Sequence, residues 1–254
     1  MIKLIKNVDV YAPDHLGKKD VLLAGKKVAA IEDSIEKLVR KIENSQIIML
    51  PGGFSGGDEP DGSGKFIATT FRNPRVMDAV HDLLSDRDGL VLGICNGFQA
   101  LIKLGLLPYG EIRDMKEGDP TLTFNTIGRH ISRTVNTRVT STNSPWLNQC
   151  ELGEIHTVAV SHGEGRFVAK EEDIIKMAEA GQIATQYVDY AGKPTMDGAF
   201  NPNGSVYAVE GILSPDGRVF GKMGHNERAT KNTFKNVPGN RDTNIFLSGV
   251  NYYK

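Results

Sequence analysis

Residues 90–107 read LVLGICNGFQALIKLGLL. A short apolar run, Leu90 to Ile94, has the pattern of a strand buried on both faces of a parallel sheet. A helical spacing follows at once, with Phe98, Leu101 and Ile102 on one face and Gly105 placed to stop it. Between the two, Gly93-Ile94-Cys95-Asn96-Gly97 has the small-x-nucleophile-x-small spacing of a nucleophile elbow, with sulfur in place of hydroxyl. The strand-to-helix turn is so tight that small residues must flank it, and it lifts the central side chain above the sheet. The helix N-terminus favours thiolate, and the backbone N–H of Asn96 points where an oxyanion would form. The bland reading is a buried cysteine at a strand-helix junction, since free cysteine is commonly buried. The glycine bracket after an apolar strand weighs against it.

Outward from this stretch, strand and helix patterns alternate. Toward the N-terminus, QIIML (46–50) reads as another buried strand, and the glycine-rich stretch 51–64 reads as loop. Asn73-Pro74 is an N-cap with proline at the first helical position, ahead of Val76, Met77, Val80, Leu83 and Leu84. Ser34 caps a helix whose face is Ile35, Leu38, Val39 and Ile42. Residues 4–32 read as short strands. Toward the C-terminus come strands in SRTVNTRVTS and IHTVAVS, a helix over 171–180 closed by Gly181, and two strands from Val206 to Met223 around a Pro-Asp-Gly turn. The fold class is therefore α/β, an open sheet with antiparallel additions.

A cysteine nucleophile needs a base, and the base an orienter. GRVFGKMGHNER puts His225 just past a strand with Glu227 two residues on. In extended chain, i and i+2 share a side, so the carboxylate can hold the imidazole tautomer. Alone, that histidine reads as structural and the glutamate as a solvated charge. With Cys95 they form a specific constellation.

The order GGFSGGD (52–58), GICNGFQ (93–99), GHNE (224–227) resembles the class I, triad-type glutamine amidotransferases. PGGFSGGDEPDGSGKF, SPWL, SHGEGRFV, NPNGS and GILSPDGRVFGKMGHNER are similar to the glutaminase domain of phosphoribosylformylglycinamidine synthase, from about Ser34 onward. The resemblance implies a flavodoxin-like sheet and hydrolysis of L-glutamine through a Cys95 thioester. His225 is then the base, Glu227 its orienter, and Gly53 and Asn96 the oxyanion donors. Gln99, His162 and Glu164 would bind glutamine. It also implies a synthetase subunit or domain as partner, which uses the ammonia for formylglycinamidine ribonucleotide in purine synthesis. ATP and Mg are expected on that partner and no cofactor on this chain. The family often has Tyr where Gly56 stands, and MPHPE where this chain has MGHNE (223–227), which puts fine loop geometry in question.

Residues 1–33 resemble instead the N-terminal β-segment of isoaspartyl dipeptidase and related amidohydrolases. That family's metal-binding histidines have no counterpart here, so a metal-dependent dipeptidase reading fails. The expected division is a β segment over 1–33, not an independent domain, and an amidotransferase domain over 34–254 that lacks its first βα unit. The chain reads as a junction of two coding fragments near 33–36, and the competing reading is an inactive glutaminase remnant.

Other signals exclude rather than assign. A net charge of −1 argues against nucleic acid or membrane partners. No apolar run nears the ~20 residues of a membrane span, and residues 1–15 lack a signal-peptide core. Cys95 and Cys150 lie outside any CxxC spacing, and six scattered histidines make no metal motif, so a cytoplasmic protein is expected. DGSGK (61–65) fails as a phosphate loop, because Glu59 and Phe66 stand where glycine and Ser/Thr are needed.

Overall fold

A computed structural model describes residues 2–11, 15–24, 27–32, 34–53 and 64–254. In chain order the strands are β1 (Ile2–Tyr11), β2 (His15–Ala24), β3 (Lys27–Glu32), β4 (Ile47–Leu50), β5 (Leu90–Ile94), β6 (Thr121–Thr123), β7 (Ile131–Val139), β8 (Ile155–His162), β9 (Arg166–Val168), β10 (Ile183–Val188), β11 (Val209–Leu213) and β12 (Val219–Lys222). The helices are α1 (Ser34–Glu43), α2 (Lys65–Phe71), α3 (Pro74–Ser85), α4 (Asn96–Leu104), the single turn α5 (Leu106–Tyr109), α6 (Glu171–Glu179) and α7 (Ile245–Asn251).

Seven strands form the main sheet, in the order β4-β5-β12-β11-β10-β7-β8. β4, β5 and β12 run parallel, and the remaining pairs are antiparallel. This is the expected open α/β sheet with antiparallel additions. β5 and β12 lie at the parallel centre and every residue in them is buried. β8 instead alternates buried and half-buried positions, because one of its faces is less covered. Helix α4 lies against β5, and its residues are buried on all sides except Lys103. Phe98, Leu101, Leu83, Leu92, Ile94 and Phe220 fill the core around it.

The anticipated local chemistry is present at several boundaries. Asn73 extends its side chain to accept from the Arg75 N–H, and Pro74 opens α3. Gly105, with φ of +83°, ends α4 in the left-handed region that glycine adopts at least cost. In α1, Val39 and Ile42 are buried and Ile35 and Leu38 pack partly against the core, as their spacing predicts. Elements with weak patterns escaped the sequence: α2, α5, α7, β9 and β10. Ile183–Val188 is nonetheless central to the antiparallel half, between β11 and β7.

β1, β2 and β3 form their own antiparallel meander, hydrogen-bonded to no strand of the main sheet among the described residues. β4 pairs with β5 on one side, and among the described residues no strand takes its other edge. Met49 in that edge strand is 41% exposed. One edge of β4 is therefore open among the described residues. Most of the glycine-rich loop, including GGFSGGD beyond Gly53 and the rejected phosphate loop before Gly64, lies outside the described residues. Among the described residues no helix is long and apolar enough to cross a membrane.

Candidate active site

Cys95 follows β5 directly, with φ of +52° and ψ of −103°. A side chain rarely takes such a backbone, and its presence here is the strain expected of an elbow. The glycines explain why the turn can close. A methyl on Gly97 would stand 2.0 Å from the carbonyl oxygen of Leu50, and one on Gly93 2.5 Å from Leu101 Cδ1.

The parallel register of β12 with β5 places Lys222 beside Ile94. The chain leaving β12 therefore passes the elbow, and the N–H of Cys95 donates to the carbonyl of Lys222 at 2.8 Å. Three residues on, the His225 N–H donates to Ala159 in β8 at 2.8 Å, which fixes the loop from the other side. Gly52 lies between the groups: a methyl there would meet His225 Cε1 at 2.3 Å and Cys95 Cβ at 3.2 Å. Gly52 thus lies against both the nucleophile and the histidine, although they are 43 and 173 positions further along the chain.

His225 Nδ1 lies 2.5 Å from Glu227 Oε1. The route to this pairing differs from the expectation: residues 226–228 form a 3-10 turn rather than extended chain. The tight turn brings i and i+2 together equally well. Burial raises the Glu227 carboxyl, but the hydrogen bond and charge of His225 outweigh it and hold it below the ordinary range. The pair leaves His225 Nε2 buried with no hydrogen-bond partner among the described residues.

The sulfur does not match the simple helix-terminus argument. Burial pushes the Cys95 thiol up to about 11, against the backbone N–H groups of Asn96 and Gly53 and the Arg228 guanidinium, which favour thiolate. The thiol donates to the carbonyl of Ser161, 3.6 Å away. Asn96 and Gly53 nevertheless both direct backbone N–H groups at the sulfur.

Gln99 is buried one turn along α4, its Nε2 donating to the carbonyl of Glu164. Its Oε1 has no partner among the described residues. His162, at the end of β8, sets Nδ1 3.2 Å from Asn125 Oδ1, and its buried Nε2 is unpartnered among the described residues. Burial, reinforced by the nearby His130 and His225, drives His162 down to about 3, so it is neutral. Glu164 is buried beside them. The structure therefore gathers all eight residues singled out from sequence. It adds Gly52, Asn125 and the Ser161 carbonyl, the last acting through backbone and so leaving no trace in residue type.

Cys150 is unlike Cys95. It is half-buried, free of disulfide, and donates to the Thr243 carbonyl at 3.1 Å. Among the described residues no three His, Cys, Asp or Glu side chains are grouped to hold a metal ion.

The chain matches the CobB/CobQ-like glutamine amidotransferase domain over residues 19–253. It belongs to the glutamine amidotransferase family. Among curated relatives of this amidotransferase is the phosphoribosylformylglycinamidine synthase subunit PurQ of Aquifex aeolicus, 35% identical over 210 residues, 79% of this chain and 83% of the relative. The PurQ subunit of Koribacter versatilis is 35% identical over 211 residues, 82% of this chain and 81% of the relative. A solved structure of PurLQS from Thermotoga maritima superposes with a TM-score of 0.60 at 30% identity, covering 82% of this chain and 80% of that one. The match to the amidotransferase family begins within β2, upstream of α1.

Proposed function

We propose that this chain is the glutaminase component of a phosphoribosylformylglycinamidine synthase, supplying ammonia for ATP-dependent amidine formation in purine biosynthesis. The carrying observation is the convergence of Cys95, the His225–Glu227 pair and the Asn96 and Gly53 N–H groups. Relatives named as synthase subunits across about four-fifths of the chain support the substrate and the partner.

The chemistry follows from that geometry. Glutamine enters against Gln99, His162 and Glu164. His225 Nε2 takes the thiol proton as sulfur attacks the side-chain amide carbon. The oxyanion of the tetrahedral intermediate faces the N–H groups of Asn96 and Gly53. The intermediate collapses as His225 protonates the departing nitrogen, giving ammonia and a Cys95 thioester. His225 then takes a proton from water, which cleaves the thioester to glutamate and restores the thiol.

In this reading residues 34–254 carry the activity and 1–33 are an appended β segment rather than a domain. No cofactor is needed on this chain; ATP and Mg serve the synthetase partner, and both work in the cytoplasm. With β4 open on one flank, activity of the chain alone is weak and the partner strengthens it. The test is ammonia release from glutamine, with and without the synthetase, for the parent and Cys95→Ala. The parent is active and the variant inactive. Equal rates for the two would sink the proposal.

A further inference from the structure

The hydrolysis scheme makes no use of a buried ion pair directly behind its histidine. Lys222 ends β12 and Glu210 lies in neighbouring β11, each 1% exposed, with Nζ 3.7 Å from Oε1. Two charges so deeply buried are costly to desolvate, and their attraction alone does not make the arrangement favourable over an apolar one. What they touch is more telling. Glu210 Oε1 accepts the N–H of Gly224 at 2.5 Å, and Oε2 accepts from Thr185 Oγ1 at 2.5 Å. Lys222 Nζ donates to Asn226 Oδ1 at 2.6 Å, while Asn226 Nδ2 donates to Thr243 Oγ1 at 2.9 Å. Gly224 and Asn226 are the residues immediately before and after His225. The carbonyl of Lys222 also receives the Cys95 N–H. One buried pair thus grips both sides of the base and, through its own backbone, the nucleophile.

The sequence makes the contrast sharper. At 224 and 226, where the resembled motif often has proline on both sides of the histidine, this chain has Gly and Asn. Proline fixes its own φ, whereas glycine is the freest residue of all. Proline has no N–H, so it could not make the Gly224 bond to Glu210. A methyl on Gly224 would already stand 2.8 Å from Glu210 Oε1 and 2.7 Å from Val158 Cγ2. A proline at 224 would thus lose the Glu210 hydrogen bond and crowd the ion pair.

We infer that Lys222 and Glu210 are positioning residues for His225, holding by hydrogen bonds the loop that flanking prolines would hold by ring stiffness. The inference rests on the glutaminase reading. It is tested with the full chain and its synthetase, with rates normalised to the folded fraction read from a urea melt and with labelling of the parent's Cys95 by a glutamine-mimicking diazoketone as a separate control. That normalisation removes any loss due only to misfolded protein.

Glu210→Gln and Lys222→Met each lower normalised kcat by about 10- to 100-fold with KM within about twofold, the scale of a misplaced catalytic group. The double variant falls no further than the worse single, because both act through one loop. Gly224→Pro/Asn226→Pro lowers kcat in the parent but raises it in a Glu210→Ala/Lys222→Met background. Asn226→Ala, which keeps the ion pair, serves if the charge variants do not fold; it too lowers kcat and not KM. Single variants within about twofold of the parent, or prolines that bring no recovery without the pair, overturn the inference. A parent that neither releases ammonia nor labels at Cys95 overturns the glutaminase reading beneath it, and this inference with it.

Discussion

At the residue scale, the two cysteines are separated by their surroundings and not by acidity. Burial pushes both thiols up to about 11. At pH 7 about 10⁻⁴ of either is thiolate, so a small neutral alkylating agent reacts slowly with both, and faster as pH rises toward 11. Only Cys95 has His225 and two converging N–H groups beside it. A glutamine-mimicking diazoketone at pH 7 therefore modifies Cys95 and spares Cys150, as read by peptide mapping; preferential labelling of Cys150 would remove Cys95 from its role. His225 and Glu227 differ in the same way. His225→Ala lowers ammonia release by at least about 10³-fold, whereas Glu227→Gln keeps measurable turnover, since removing an orienter costs less than removing the base. An active His225→Ala chain would exclude the triad.

At the element scale, the elbow is held by contact between β4, β5 and α4. Gly97 sits where α4 crosses the end of β4, and a methyl there would overlap the Leu50 carbonyl. Backbone cannot yield as a flexible side chain can, so Gly97→Ala pushes strand and helix apart. The expected cost is about 1–3 kcal/mol by urea melt, with loss of diazoketone labelling at Cys95. A variant with parental stability and labelling would show that β4 does not set the elbow. The PGG turn following β4 carries Gly53, so the same displacement would move one oxyanion donor away from the other. The elbow was readable in sequence because strand, turn and helix are local. The approach of β12 was not, because it depends on a parallel pairing between residues more than 120 apart.

At the scale of the whole molecule, the open flank of β4 is the main liability. An inner strand of a parallel sheet is normally paired on both sides and covered. Here one edge has no strand among the described residues, and the meander of β1 to β3 pairs only with itself. Each apolar side chain that a covering βα unit would bury is worth roughly 1.5–3 kcal/mol, against a total stability of about 5–15 kcal/mol for a domain. Replacing residues 1–33 by an authentic strand-helix start should raise the urea midpoint and the slope, and raise glutaminase activity without the synthetase. Coincident melts would show that the N-terminal segment already does the work of such a unit.

The sequence by itself determined the elbow at Cys95, the His225–Glu227 spacing, the α/β class and most helix boundaries. Each rests on residues near one another in the chain, where spacing, capping and glycine placement act directly. Tertiary structure alone decided that burial outweighs the helix N-terminus at Cys95, and that a 3-10 turn rather than a strand pairs His225 with Glu227. It also decided that Lys222 and Glu210, which the sequence does not single out, are buried behind the base. These outcomes depend on which distant segments exclude water from a given atom. Burial is a property of the assembled core, and no local pattern encodes it.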